Sequence, residues 1–373
     1  MKKCPNCDFA ENNDIAKFCC NCGSPLGGNE ILYTEFIDYK RLMRNNKLET
    51  TSENGCVITP CSWKYAGEFH EGLAWVEKDE KRGYIDVMGN MVIPNKWRRT
   101  SNFSEGLARV EDSNGEYYID RKGDVVVECQ SGYSLDGNSF HEGLASIKKD
   151  DKFGFIDRKG NVAIPCKWDA VTDFAEGLSS VEIDGKYGCI DKTGQLVIPC
   201  EYDAEIIFSD GMGLTYRDDK SVYIDRTGRR VIELPSSEHS IFLEGLASVY
   251  EQGFIDKNGR FVINDMWSSG WDGGFSEGLA PTEDKGYIDR SGRIVIENRW
   301  DRCHMFKDGL ARVEDGAKNG YIDHAGRLVI PCVWDGASHF SEGLANVRLN
   351  KTLLDSMTYI INKQGQVLCN IRR

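Results

Sequence analysis

The chain has 373 residues, 40% hydrophobic and 28% charged, which are the proportions of a folded protein and not of a disordered one. Its 59 acidic against 46 basic residues leave a net charge of −13, which is repelled by phosphate backbones and anionic headgroups. Nucleic acid is therefore an unexpected partner, and no run approaches the roughly 18 apolar residues of a membrane span.

Residues 1–26 carry a metal-site pattern. Cys4 and Cys7 form one C-x2-C knuckle, and Cys19 and Cys22 form a second after eleven intervening residues. Two thiolates three positions apart on a tight turn can reach one tetrahedral Zn²⁺ at about 2.3 Å. A segment this short buries no core of its own, so the metal has to supply the folding energy. The runs Cys4-Pro5-Asn6-Cys7 and Phe18-Cys19-Cys20-Asn21-Cys22-Gly23 resemble the minimal zinc-ribbon family. One structural Zn²⁺ on Cys4, Cys7, Cys19 and Cys22 is expected, with Cys20 competing for the place of Cys19. Four thiolates leave no position open for water, which points away from catalysis. Polar residues follow the first knuckle where an export signal would have an apolar core, so the expected compartment is the cytoplasm, in keeping with unpaired cysteines.

Residues 27–55 read as a linker. Gly27-Gly28-Asn29 is a break, residues 36–43 can form two turns of helix, and residues 49–55 are polar.

From residue 56 to 373 the chain repeats itself. A phrase F-x-E-G-L-A-x-V recurs with its glycine at Gly72, Gly106, Gly143, Gly177, Gly213, Gly245, Gly278, Gly309 and Gly343, at intervals near 34 residues. A second phrase, G-Y-I-D-x-x-G, follows each time, and V-I-P-x-x-W-D closes the unit, as in Val329-Ile330-Pro331-Cys332-Val333-Trp334-Asp335. These nine copies resemble the WG-repeat family of bacterial proteins. The resemblance implies an all-β tandem repeat in proteins that mostly lack a defined activity.

Apolar and polar residues alternate in L-A-x-V and Y-I-D, the period of a strand with one buried face. In D-x-x-G the Asp accepts backbone hydrogen bonds and the Gly supplies the positive φ of a bulged hairpin. Each unit is thus expected to be a three-stranded antiparallel sheet that must stack on its neighbours. The expected architecture is an open twisted array, with a closed β-propeller-like ring as the alternative. Two features favour the array: four-stranded blades normally need about 40 residues, and a tenth V-I-P-type strand at residues 57–59 is spare.

Four sets of candidate site residues recur. Glu71, Glu105, Glu142, Glu176, Glu244, Glu277 and Glu342 precede the repeat glycine; equivalent positions repeated nine times fit backbone N–H acceptance better than one catalytic pair. Trp63, Trp97, Trp168, Tyr202, Trp300 and Trp334, with Trp267 and Trp271 competing in one copy, read as wedges between units, or as a ladder that stacks on sugars. Cys61, Cys166, Cys200 and Cys332 share one slot and read as packing residues. His70, His141, His239, His304, His324 and His339 have no metal or triad spacing. Lys96-Trp97-Arg98-Arg99 is the nearest thing to a basic patch. The expected function is a non-catalytic protein-interaction scaffold with another protein as partner; the alternative is a carbohydrate- or cell-wall-binding module.

Overall fold

The computed structural model describes residues 59–63, 65–87, 89–129, 132–135, 139–235, 240–250, 252–264, 274–282, 286–350 and 356–372. The cysteines of the expected zinc site, the linker and the helix at 36–43 lie outside them, as do His239, Trp267 and Trp271. No helix among the described residues is long and apolar enough to cross a membrane.

Nine sheets follow one another among the described residues. The first pairs Tyr65–Ala66, Leu73–Lys78, Lys81–Asp86 and Met91–Trp97 in sequence order, each antiparallel to the next. Its residues divide between two interfaces. Ala74, Val76 and Ile85 pack on Leu344 and Ile360 of the ninth sheet. Leu73, Tyr84, Ile93 and Trp97 pack on Phe103, Ala108, Val110 and Ile119 of the second. The core thus lies between sheets, as it must when each is too small to bury a face alone.

Gly83 shows why the second phrase opens on glycine. A Cβ there would stand 2.3 Å from the carbonyl oxygen of Ile93, where the facing strand bulges between Ile93 and Trp97. The D-x-x-G glycine serves a different contact. Gly194 has φ of +80°, and a Cβ on it would lie 2.9 Å from the side chain of Ile164 in the preceding sheet.

Three expectations are corrected. The units are not limited to three strands. Six sheets have four, because a short strand such as Arg99–Thr100 or Ala170–Val171 forms between the W-D and E-G phrases; the sixth and seventh sheets have three among the described residues. In the first four blades a two-residue fourth strand is how a unit of this length makes a blade.

The array is not open. The spare strand, Thr59–Trp63, pairs in parallel with Val367–Arg372, so the ninth sheet has five strands and holds both ends of the repeat region. Ser341 Oγ donates to Phe69 O at 3.3 Å, and Asn346 Nδ2 donates to Gly67 O at 3.2 Å. The result is a nine-bladed ring. The surplus strand overlaps the seam instead of ending an array.

The fifth copy is also registered differently. Its turn is Asp210-Gly211, with φ of 56° and 79°, so Gly211 and not Gly213 is the equivalent of Gly177.

Candidate functional site

The E-G dipeptides are two-residue hairpin loops. His70 and Leu73 exchange both backbone hydrogen bonds across Glu71-Gly72, and both loop residues have positive φ, 53° and 75°. This is a type I′ turn, whose first position ordinarily belongs to Asn, Asp or Gly. Glutamate there costs about 1–3 kcal/mol of backbone strain, yet it recurs at Glu105, Glu142, Glu176, Glu244, Glu277 and Glu342, with φ of 52–54°.

The reason lies in the neighbouring blade. Glu71 accepts from Gly106 N at 2.8 Å, Glu105 from Gly143 N at 2.9 Å, and Glu142 from Gly177 N at 3.0 Å. Glu176 accepts from Gly211 N, Asp210 from Gly245 N, Glu244 from Gly278 N and Glu277 from Gly309 N. Asp308 accepts from Gly343 N at 2.5 Å, and Glu342 accepts from Glu71 N and Gly72 N, each at 2.5 Å. Nine links among the described residues return to their starting point.

Sheets stacked face to face sit about 10 Å apart. One carboxylate side chain spans less than that, so the E-G turns lie where the blades converge, around the axis. In eight of the nine blades the residue after the turn aspartate or Asn362 is a basic side chain, and several of these reach the same circle. Lys192 meets Glu142 at 2.8 Å, Lys257 meets Asp210 at 3.1 Å, and His324 meets Glu277 at 3.1 Å. Arg158, Arg226 and Arg290 donate to the carbonyls of Glu105, Glu176 and Glu244. The Lys192 ammonium beside Glu142 holds its carboxyl below the usual glutamate value. At the seam the equivalent residue is Val87, so Glu342 relies on its two backbone donors.

The turn aspartates act locally. Asp191 Oδ1 accepts from Thr193 N at 2.9 Å and Gln195 N at 3.0 Å, and the same pair of bonds recurs at Asp120, Asp157, Asp225, Asp256, Asp289 and Asp323. The W-D aspartates join blades: Asp335 takes Lys318 of its own blade at 2.6 Å and Asn350 N of the next at 2.8 Å.

The other candidate residues also pack. Trp97, Trp168, Tyr202 and Trp334 are buried, while Trp63 and Trp300 are half-buried against the cores. Cys166, Cys200 and Cys332 are half-buried, and burial pushes the Cys332 thiol up to about 11, far from a nucleophilic thiolate at neutral pH. Cys61 falls within the strand Thr59–Trp63. His141 pairs with Asp173, and His304 with Glu314. Among the described residues no group of three or more His, Cys, Asp or Glu could hold a metal ion. Arg98 and Arg99 both face Glu111, at 3.4 and 3.8 Å, which offsets the basic patch.

One feature departs from the strand alternation of the sequence. In six of the nine blades the strand after the D-x-x-G turn begins with two exposed apolar residues before its buried isoleucine or valine, as at Met91 and Val92, Val125 and Val126, and Leu196 and Val197. Strict alternation would expose one in two, so the V-I and V-V doublets were the available signal. They form an interrupted apolar belt along the blade edges.

The fold and the axial carboxylate circle define a nine-bladed β-propeller built from short tandem repeats. The WG containing repeat family matches residues 52–81, 83–117, 118–153, 153–187, 187–220, 286–318 and 320–352. The chain belongs to that family, and the structure adds blades across 221–285 and after 352. A search of curated proteins finds no match. Among solved structures, a eukaryotic initiation factor aligns with a TM-score of 0.40 and 12% identity, covering 86% of this chain and 91% of that one. Kluyveromyces lactis Hsv2 aligns at 0.37 and 13%, covering 82% and 96%. AztD from Citrobacter koseri aligns at 0.36 and 13%, covering 80% and 94%. These likenesses are too distant to bear on function.

Proposed function

We propose that this chain is a non-catalytic protein-interaction scaffold, a propeller presenting its blade edges to another protein, with an N-terminal zinc ribbon as a second contact. The observation that carries the reading is the exposed apolar belt. It recurs in six of the nine blades, while the repeated carboxylates hold the blades together. Exposed apolar residues repeated along one surface are the ordinary mark of a binding face. The zinc ribbon rests on Cys4, Cys7, Cys19 and Cys22, whose spacing suits one structural Zn²⁺. The unpaired cysteines of the propeller are those of a reducing compartment such as the cytoplasm. A carbohydrate-binding reading needs exposed rings, and Trp97, Trp168 and Trp334 are at most 4% exposed.

The test is affinity capture with the full-length chain beside Val126→Glu and Val197→Glu, both at exposed positions. Proteins retained by the parent and lost by the variants, with melting unchanged, support the scaffold. An identical captured set for all three, or a captured set that is empty, contradicts it.

A further inference from the structure

The blades differ in one exposed position. The residue after the D-x-x-G glycine is Asn90, Asp124, Asn161 and Gln195 in the first four blades, and Arg229, Arg260, Arg293 and Arg327 in the next four. In a chain of net charge −13, four successive blades repeat one arginine at this position. Three of these side chains are 73–81% exposed.

In the sixth and seventh blades the arginine is followed at once by an exposed apolar pair, whereas Arg230 and a half-buried Val231 follow in the fifth and the half-buried Leu328 and Val329 in the eighth. Phe261-Val262 follows Arg260 and Ile294-Val295 follows Arg293; Val262 and Val295 are both 49% exposed. The units also touch. Gly259, Gly292 and Gly326, which precede the last three arginines, pack on Ile232, Ile263 and Ile296 of the preceding blade. Four arginines therefore follow one another along one strip, with an exposed apolar pair after those of the sixth and seventh blades. Glu297 follows the buried isoleucine in the seventh blade, and Glu233 in the fifth is paired with Lys220 and Arg230.

Arg229, Arg293 and Arg327 are held by their own turn aspartates, at 2.7–3.0 Å. Such exposed pairs contribute little. A guanidinium has five N–H donors, so one that is exposed and bonded to a single carboxylate keeps others for a second.

We infer that the edges of the fifth to eighth blades dock an extended acidic segment of a partner protein, in which carboxylates flank bulky apolar residues. The inference rests on the scaffold reading and names the chemistry of its partner. Carboxylates meet the arginines and apolar side chains cover the doublets. The net negative charge elsewhere confines an acidic segment to this arc.

The experiment is fluorescence anisotropy with the full-length chain and a labelled synthetic peptide in which glutamates flank Leu-Phe pairs. A peptide with glutamine at every glutamate is the control. The expected result is saturable binding of the acidic peptide, weakened by salt, with the glutamine peptide weaker by about tenfold or more. Arg260→Glu with Arg293→Glu abolishes binding, Arg260→Gln and Phe261→Ser each weaken it without moving the melting temperature, and Gln195→Arg on the fourth blade does not weaken it. Equal binding of the two peptides, or no effect of the arginine variants, overturns the inference. An oligodeoxythymidylate that competes as well as the peptide overturns it in favour of a general polyanion site. Self-association abolished by the same variants overturns it in favour of a second copy. Absence of any peptide binding also overturns it, whereas the scaffold itself stands or falls by the capture experiment on Val126 and Val197 in the second and fourth blades.

Discussion

Glu142 isolates what a link of the axial circle contributes. It accepts Gly177 N through both oxygens at 3.0 and 3.1 Å, pairs with Lys192 at 2.8 Å, and sits at φ of 52°. Glu142→Ala removes the acceptor and keeps the backbone strain. A hydrogen bond to a charged group contributes about 1.5–3 kcal/mol. The side chain is 31% exposed, so water replaces part of that and roughly 1–2 kcal/mol should be lost. Glu142→Gly removes the same bond but releases about 1 kcal/mol of left-handed strain, so it should be the more stable variant. Urea unfolding at neutral pH measures both. The folded-state carboxyl lies below the usual 4.5, so its contribution is complete above that value and disappears as pH falls through the folded value. Parent and Glu142→Ala should therefore converge in acid. A Glu142→Ala chain as stable as the parent at neutral pH, or a Glu142→Gly chain less stable than Glu142→Ala, would refute the inter-blade role.

Other outcomes are equally specific. Gly188→Ala sets a Cβ 2.3 Å from Ile198 O and should destabilise by about 1–3 kcal/mol or more, and Gly194→Val should lose about 1–3 kcal/mol to strain alone, both read by urea unfolding. Hydrogen bonds from Thr227 and Ser291 hold the Asp225 and Asp289 carboxyls at about 2, so these turns stabilise the fold above the usual aspartate value and stop doing so as pH falls towards 2; acid titration of Asp289→Asn should show a shallower loss than the parent. Metal analysis after purification without chelators should give one Zn²⁺ per chain, and Cys22→Ser should abolish it while leaving propeller melting in place.

Local chemistry made much of the propeller legible in the sequence. The D-x-x-G turns, the strand alternation and the burial of Trp97, Trp168 and Trp334 each depend on neighbours within one or two repeats, and the structure has all of them. The ring depends on Thr59–Trp63 meeting Val367–Arg372, a pairing across the whole repeat region that no period reveals. The recurrence of the E-G carboxylates marks them as backbone acceptors, which they are. Their donors belong to the next blade, however, and only the positive φ of a non-glycine residue hints at that cost. The fifth copy misled because Asp210-Gly211-Met212-Gly213 offers two glycines, and the I′ turn, not the phrase, selects Gly211. The arginine arc was visible as letters, but nothing in the sequence says that Gly259, Gly292 and Gly326 bring successive units into contact.

Closure of the ring is tested most directly at the seam. Glu342 Oε2 accepts from Gly72 N at 2.5 Å across 270 residues of sequence. Amide hydrogen exchange of a peptide spanning residues 69–75 should be slow in the parent and much faster in Glu342→Ala, while the peptide around Gly177 is unchanged. In an open array these two ends are far apart. Fast exchange at Gly72 in the parent, indifferent to Glu342, would contradict the ring.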